Sequence, residues 1–185
     1  LGVIDQQVLS LEALSLTDAL TQIANRRAFD LRLAMELDAH ARTGLPLALL
    51  ALDVDFFKLY NDNYGHPAGD VVLKALSDVL RQTASRPTDL PARVGGEEFA
   101  ILLPNTSTEG AAALAERLRE KLAERNIPHA YSPVTNHVTV SIGVTVATNE
   151  SPEAFISRAD RAVYLSKSGG RDRVTALRPE SADSY

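Results

Sequence analysis

Hydrophobic residues near the start of the chain follow a helical spacing. Leu1, Ile4, Val8 and Leu11 are separated by three, four and three positions, which is the a/d rhythm of a helix that packs against another helix. Two interpretations follow from so short a repeat. Either the helix lies on its own domain, or it is the end of a stalk that pairs with a second copy.

Further along, the apolar pattern predicts five strands. Residues 47–54 form a continuous apolar run that suits a strand buried on both faces, and residues 138–146 alternate as in a half-buried strand. Two short segments, 90–94 and 99–103, flank Gly95-Gly96, a pair typical of a hairpin turn. Residues 173–177 form the last short strand.

Helical spacing occupies the segments between these strands. We predict helices over 26–42 (with Asn25 as N-cap and Gly44 as stop), from about residue 71, over 111–125 and over 152–168, and a Gly/Asn/Asp/Pro-rich loop over 61–69. The resulting order, β-α-β-β-α-β followed by a helix and a strand, predicts an α+β fold. Its expected core is ferredoxin-like, with a mostly antiparallel sheet flanked by helices and a short N-terminal helical extension.

Length and composition limit the classes of function. The 185 residues suit one domain, expected over 17–178, with a helical linker over 1–16 from an upstream module and a polar tail over 179–185. A net charge of -5 argues against a broad grip on a nucleic acid polymer, and the absence of cysteine excludes disulfides and thiolate metal sites. The longest apolar stretch, 45–52, is too short to span a bilayer, and no secretory signal is visible.

Polar residues gather at three places where candidate chemistry is expected. Asp53 and Asp55 end the first strand, the segment 61–70 is rich in polar side chains, and Glu97-Glu98 follow the glycine pair. Each cluster alone is also typical of a solvated loop or turn. In a split-βαβ sheet, however, the first strand can neighbour the hairpin, which would bring Asp53 and Glu97 together as ligands for Mg²⁺.

The string Arg93-Val94-Gly95-Gly96-Glu97-Glu98-Phe99 resembles the signature turn of the GGDEF domain family, the diguanylate cyclases. Other motifs similar to those of the family stand in the family's order from about Leu16 to Val174: Asp18-Ala19-Leu20-Thr21 with Asn25-Arg26-Arg27, Asp53-Val54-Asp55-Phe56-Phe57-Lys58 with Asn61-Asp62, Gly65-His66 with Gly69-Asp70, Ser141-Ile142-Gly143-Val144, and Arg158-Ala159-Asp160 with Tyr164, Lys167, Gly170 and Arg171.

The resemblance implies a palm-like fold and a defined reaction. The family condenses two GTP molecules into cyclic di-GMP and two pyrophosphates across a homodimer, each protomer holding one GTP. By this resemblance, Asp53, the backbone carbonyl of Val54 and Glu97 hold two Mg²⁺ ions, with Mn²⁺ as a possible substitute, and Glu98 assists the metal site. Glu97 is also the family's candidate proton acceptor, and its role as base or as ligand alone stays open, because a carboxylate on Mg²⁺ is a poor base.

The resemblance also implies how GTP is held. Lys58, Lys167 and Arg171 are expected to stabilise phosphate charge, with the backbone amides of Phe56 and Phe57 cradling the terminal phosphates. Guanine is expected to be read by Asn61 and Asp70, with His66 nearby. An ionised Asp70 accepts hydrogen bonds from N1–H and the exocyclic amine of guanine, whereas adenine presents an acceptor at N1 and no such amine.

A further resemblance concerns regulation by the product. Arg86-Pro87-Thr88-Asp89 stands five residues before the first glycine, where the family has its inhibitory Arg-x-x-Asp site, and Arg117 matches a second arginine of that site. It implies feedback inhibition by bound cyclic di-GMP. Two positions depart from the family pattern, since Gln22 replaces a glycine and Tyr60 replaces an aliphatic residue.

Two functions are carried forward from these residues. The favoured one is an active cyclase whose catalytic domain meets cytoplasmic GTP, in a parent protein that is either free or membrane-anchored. The alternative is a catalytically silent module that binds GTP or cyclic di-GMP. The site residues are complete in this chain, whereas degenerate members usually lose some of them, and this completeness favours the enzyme.

Overall fold

The computed structural model describes residues 5–7 and 15–180. Residues 5–7 are helical, and the rest of the predicted N-terminal repeat lies outside the described residues, as do residues 181–185 of the polar tail. The choice between a helix on its own domain and a pairing stalk therefore stays a prediction. Among the helices of the described part, none has both the length and the apolar character needed to cross a membrane.

A five-stranded sheet forms the centre of the domain. Its strands are β1 (Leu47–Val54), β2 (Leu90–Arg93), β3 (Glu98–Pro104), β4 (Val140–Val146) and β5 (Arg173–Ala176), in the spatial order β2-β3-β1-β4-β5. Neighbouring strands are antiparallel except for β4 and β5, which run parallel. The first four strands thus have the ferredoxin-like order, and the α+β prediction is confirmed with β5 added at one edge.

Five helices cover both faces of this sheet. They are α1 (Arg26–Thr43), α2 (Phe57–Tyr64), α3 (His66–Thr83), α4 (Thr108–Glu124) and α5 (Pro152–Ser168). Apolar residues of α2, α3 and α4 pack on one face, and those of α1 and α5 pack on the other. The predicted strand over 47–54 is therefore confirmed as buried on both faces. Helix α1 begins at the predicted cap, where the Asn25 side chain accepts from the Ala28 amide at 3.0 Å.

The predicted loop over 61–69 is wrong. Helix α2 continues to Tyr64 and α3 begins at His66, so that Gly65 alone separates them, with a φ of 88° that favours glycine. Polar composition misled the prediction, since Asp62 and Asn63 lie on a solvent-exposed surface of a helix. The candidate guanine-binding residues therefore lie on two helices that are joined by one residue, and not on a loop.

The expectation that β4 is half-buried is also wrong. Only Val146 at its end is partly exposed, because α4 and α5 cover opposite faces of the strand. Its polar side chains are hydrogen-bonded internally, for example Thr145 to the Arg158 guanidinium at 2.7 Å. Gly143 permits the close approach of α5, since a Cβ atom there would stand 2.5 Å from the Val163 amide nitrogen.

Candidate functional site

The end of β1 and the glycine turn lie side by side. Asp53 is the register partner of Glu98, and the Val54 amide donates to the Glu97 carbonyl oxygen at 3.3 Å. Antiparallel pairing of β1 with β3 therefore brings the backbones of all three candidate metal-binding residues, Asp53, Val54 and Glu97, to one point. The sequence predicted that the first strand neighbours the hairpin, and the pairing of β1 with β3 agrees with that prediction.

A cavity of about 220 Å³ opens beside these residues, between α1 and α5. Asp53, Glu98, Asp160 and Lys167 line its polar side. The Lys167 ammonium group forms an ion pair with the Asp53 carboxylate. Burial and the nearby Glu98 charge raise the pKa of Asp160, against a smaller opposite effect of Arg26. The cavity thus combines several carboxylates with a cation at the end of β1.

The donor set at this point fits a hard divalent cation. Asp53 and Glu97 supply carboxylate oxygens and Val54 supplies a carbonyl oxygen, and Mg²⁺ usually takes only one or two protein carboxylates together with waters and substrate phosphates. The Asp53 side chain is only 15% exposed and forms an ion pair with Lys167. Within residues 5–7 and 15–180, no group of three His, Asp or Glu side chains is arranged to hold a metal unaided.

Phe56 forms a left-handed turn between β1 and α2. Its φ of 52° and ψ of 39° place it outside the usual region for a non-glycine residue, at the N-cap of α2. The His129 Nε2 atom lies 3.2 Å from the Phe56 carbonyl oxygen, which only accepts, so that Nε2 carries the proton. The Arg171 guanidinium lies 4.3 Å above the Phe56 ring. Lys58 follows as an exposed residue in the first turn of α2.

The two candidate guanine-binding residues stand on facing helices. Asn61 on α2 approaches Gly69 on α3 so closely that a Cβ atom at position 69 would lie 1.9 Å from the Asn61 Oδ1 atom. That oxygen is buried and has no hydrogen-bond partner within the described part of the chain. Asp70 is exposed next to Gly69, and His66 is exposed at the start of α3. The lack of a side chain at Gly69 therefore allows Asn61 to pack against α3 at the residue before Asp70.

An aromatic cluster of Tyr60, Tyr64, His129 and Tyr131 was not predicted from the sequence. The Tyr60 and Tyr64 rings stack with centroids 4.5 Å apart, and the His129 ring packs edge-on against Tyr60 at 5.1 Å. The Tyr64 hydroxyl accepts from the Ala130 amide at 2.9 Å. This cluster joins α2 to the loop before β4. Tyr60, noted as a departure from the family pattern, was the one sequence signal for it.

The burial of Asp55 was not predicted from the sequence, because a carboxylate directly after a strand is also typical of a solvated loop. The residue is only 2% exposed. Its carboxylate accepts hydrogen bonds from the Thr139 hydroxyl at 2.7 Å and the Ser141 hydroxyl at 2.6 Å. Asp55 therefore belongs to the interior, where it joins β1 to the strand beside it.

The candidate inhibitory residues Arg86 and Asp89 form an ion pair in the turn before β2. The Arg86 Nε atom donates to the Asp89 Oδ1 atom at 3.0 Å, and the Arg86 amide donates to Oδ2 at 3.1 Å. The Arg86 side chain is 47% exposed, whereas that of Asp89 is 1% exposed. Arg117 lies exposed on α4, and within residues 15–180 no hydrogen bond or ion pair joins it to this pair.

Comparison with known proteins agrees with these motifs. A family model described as "Diguanylate cyclase, GGDEF domain" matches residues 15–173. The chain is 45% identical over 161 residues to the diguanylate cyclase DgcP of Pseudomonas aeruginosa, covering 86% of this chain and 24% of that protein. The chain spans about a quarter to a third of the length of the curated relatives that it matches.

Solved structures share the fold. The coiled coil and GGDEF domain of DgcB from Caulobacter crescentus, in complex with c-di-GMP, superposes with a TM-score of 0.82 at 34% identity, covering 95% of this chain and 93% of that one. The active GGEEF domain of a diguanylate cyclase from Vibrio cholerae has a TM-score of 0.76 at 34% identity, covering 86% and 100%. The expected family architecture is therefore confirmed.

Proposed function

Because the chain belongs to the GGDEF domain family, we propose that it is a diguanylate cyclase, which condenses two GTP molecules into cyclic di-GMP and two pyrophosphates. The observation that carries the proposal is the meeting of Asp53, Val54 and Glu97 at the end of β1, beside the left-handed turn at Phe56. Oxygen ligands for a divalent cation thus adjoin a backbone turn suited to phosphate.

In this proposal, Asp53, the Val54 carbonyl and Glu97 hold two Mg²⁺ ions, or Mn²⁺ in their place, and Glu98 supports them. When bound there, such ions would supply Lewis-acid activation of the attacking 3′ oxygen and would offset charge on the leaving pyrophosphate. The ion pair with Lys167 fixes the orientation of the Asp53 carboxylate. Glu97 acts as a metal ligand in this proposal. Whether it also accepts the proton of the attacking 3′ hydroxyl group stays open.

The phosphates are held from three directions. The Phe56 and Phe57 amides open the first turn of α2, where the helix dipole favours an anion. Lys58 is exposed in the same turn, and Arg171 lies over the Phe56 ring. Lys167 bridges between the metal-binding carboxylate and the phosphates. Together these cations offset part of the negative charge of the GTP phosphates.

Guanine is placed between α2 and α3. Asn61 and Asp70 bind its edge, with His66 beside them at the start of α3. An Asp carboxylate paired with N1–H and the amine rejects adenine, because adenine offers neither donor there and leaves the carboxylate unpaired. The domain is therefore proposed to take GTP rather than ATP.

Catalysis requires two copies of the chain, since each site holds one GTP and the product contains two guanylates. We propose a homodimer of the domain over 17–178, with residues 1–16 leading from an upstream input module and 179–185 as a tail. The domain meets GTP in the cytoplasm. No nucleic acid polymer is involved.

Product inhibition through Arg86, Asp89 and Arg117 completes the proposal. The Arg86 side chain is 47% exposed, while its Nε atom pairs with Asp89 and its Nη2 atom donates to the Pro104 carbonyl oxygen and the Thr106 hydroxyl. The exposed part of the side chain is proposed to meet a guanine edge or a phosphate of cyclic di-GMP. The related DgcB domain was solved in complex with c-di-GMP. Bound product is proposed to hold the two protomers apart.

Pyrophosphate release tests the proposed activity. The purified chain at high concentration is incubated with GTP and Mg²⁺, together with an enzyme that removes cyclic di-GMP, and is compared with the Glu97→Ala variant. Release that disappears in the variant supports the cyclase and its metal site. Absence of release from an inhibitor-free dimer would instead favour the alternative, a silent module that binds GTP or cyclic di-GMP.

A further inference from the structure

We propose that Asp55 is a positioning residue for Arg171, which it holds over the phosphate-binding turn at Phe56. The inference rests on the proposed function, because it assumes that Arg171 contacts phosphate. It goes further by assigning a role to a buried carboxylate that lies behind the site rather than in it.

Hydrogen bonds to Asp55 connect three segments of the chain. Its side chain is fully buried, and its two oxygen atoms accept from Thr139, from Ser141 and, at 3.0 Å, from the backbone amide of Asp172. The first two bonds join β1 to β4. The third joins β1 to the loop between α5 and β5, which carries Arg171. Burying a carboxylate costs free energy unless its oxygen atoms are hydrogen-bonded. These three hydrogen bonds therefore fix the orientation of the Asp55 side chain.

The loop that carries Arg171 needs an external restraint. Gly170, Arg171 and Asp172 have φ values of 122°, 65° and 45°, three successive residues in a region that side chains rarely adopt. A non-glycine residue of this kind is strained, and its conformation persists only where the surroundings hold it. The hydrogen bond from the Asp172 amide to Asp55 supplies one restraint, and the Arg171 amide, which donates to the Ser166 carbonyl at 3.0 Å, supplies another.

Asp55 also acts on the Arg171 side chain by charge. The Arg171 Nε atom is buried, makes no hydrogen bond to any described residue, and stands 4.0 Å from the Asp55 Oδ1 atom. The rest of the guanidinium group stacks on Phe56, and about a third of the side chain, 32%, stays exposed. Asp55 thus anchors the inner edge of the guanidinium group while its outer edge is left for a ligand.

A double-mutant cycle on nucleotide binding tests this role. Asp55→Asn, Arg171→Ala and the double variant are titrated with a GTP analogue that has a methylene bridge between the α and β phosphates, in Mg²⁺, and separately with guanosine. Each single variant is expected to bind the analogue about tenfold or more weakly, since a charge-assisted contact is lost. Guanosine affinity is expected to stay unchanged, because guanosine has no phosphate.

The double variant distinguishes positioning from general destabilisation. If Asp55 acts through Arg171, the double variant binds the analogue no more weakly than Arg171→Ala alone. Glu150→Gln is the matched control, since it removes another buried carboxylate that pairs with an arginine, Arg158, and its side chain is 10% exposed. This control is expected to lose stability and to keep the parent's affinity for the analogue.

The possible failures are separable. Unchanged analogue binding by Arg171→Ala would overturn the phosphate role of Arg171, which belongs to the proposed function. Weaker binding by Arg171→Ala but not by Asp55→Asn, or additive losses in the double variant, would overturn the inference alone. If Asp55→Asn does not fold, Asp55→Glu moves the charge by one methylene group. It is expected to weaken analogue binding and spare guanosine, and parent-like analogue binding would overturn the inference.

Discussion

Asp18 and Arg93, which are 75 residues apart in the chain, form an ion pair with a separation of 3.4 Å. The same guanidinium group donates from Nε to the Gly96 carbonyl oxygen at 3.0 Å. Asp18 itself accepts from the Thr21 amide and hydroxyl. The N-terminal segment of the domain, which holds Asp18, is thereby connected directly to the glycine turn that precedes Glu97.

Asp18→Asn is expected to lower the free energy of unfolding by about 1 kcal/mol at neutral pH. Burial alone raises the pKa of Asp18, but the Thr21 hydrogen bonds and Arg93 together hold that pKa below its ordinary value of 3.8. A carboxyl group of this kind stabilises the fold above its unfolded pKa, and the contribution is lost as pH falls through the lower folded value. Urea unfolding at several pH values should therefore show the deficit at pH 7 and its disappearance in strong acid. A deficit independent of pH would contradict the assignment.

Gly69→Ala is expected to separate substrate binding from stability. Alanine favours a helix interior by about 1 kcal/mol over glycine, but its Cβ atom would meet the Asn61 side chain, which has to rotate away. The fold should therefore keep its melting temperature while the KM for GTP rises about tenfold or more. Gly110→Ala on α4 is the control, since its nearest contacts would be ordinary at 3.4 Å. Parent-like GTP kinetics in Gly69→Ala would rule out the proposed place of Asn61.

Asp70→Ser is expected to reduce the preference for GTP over ATP. The carboxylate is proposed to pair with two donors of guanine, and sites that depend on such pairs discriminate by about 10⁴. Competition between the two nucleotides, measured as the ratio of kcat/KM values, reports the change. Asp62→Ser, which alters another exposed acidic residue on the neighbouring helix, should leave the ratio unchanged. An unaltered ratio in Asp70→Ser would exclude the proposed guanine contact.

Arg86→Ala is expected to relieve inhibition by cyclic di-GMP. The substitution also removes the side-chain partner of Asp89, whose carboxylate is buried, so a stability loss of about 1–3 kcal/mol is expected alongside. Inhibition curves should therefore be measured well below the melting temperature of the variant. Arg42→Ala is a matched control, because Arg42 is an exposed arginine in an ion pair on α1. Inhibition as strong as that of the parent would eliminate Arg86 from the inhibitory site.

The periodicity of apolar residues predicted most strands and helices correctly, because the local conformational preference of these segments agrees with their tertiary packing. The run over 47–54 is apolar at nearly every position since helices cover both faces of β1, and Asn25 caps α1 through a local hydrogen bond. The prediction of a loop over 61–69 was wrong because the polar residues of this segment are typical of a loop. In the structure, the turn between the two helices consists of Gly65 alone. Composition does not distinguish an exposed helix surface from a loop.

The site was predictable where its residues follow one another in motifs and less so where distant segments meet. Asp53 and Glu97 were placed together by the strand order alone. Asp55 and His129 owe their positions to contacts 84 and 73 residues away, with Thr139 and Phe56 respectively. No spacing along the chain encodes such contacts, so the burial of Asp55 and the place of His129 were not predicted.

The central claim is tested most directly by identifying and counting the products that the purified chain forms from GTP in Mg²⁺. Mass spectrometry of the nucleotide product is combined with a pyrophosphate assay on the same sample. The account predicts cyclic di-GMP with two pyrophosphates released for each molecule formed. Binding of GTP by an inhibitor-free dimer with neither product, or release of pyrophosphate without a cyclic dinucleotide, would contradict it.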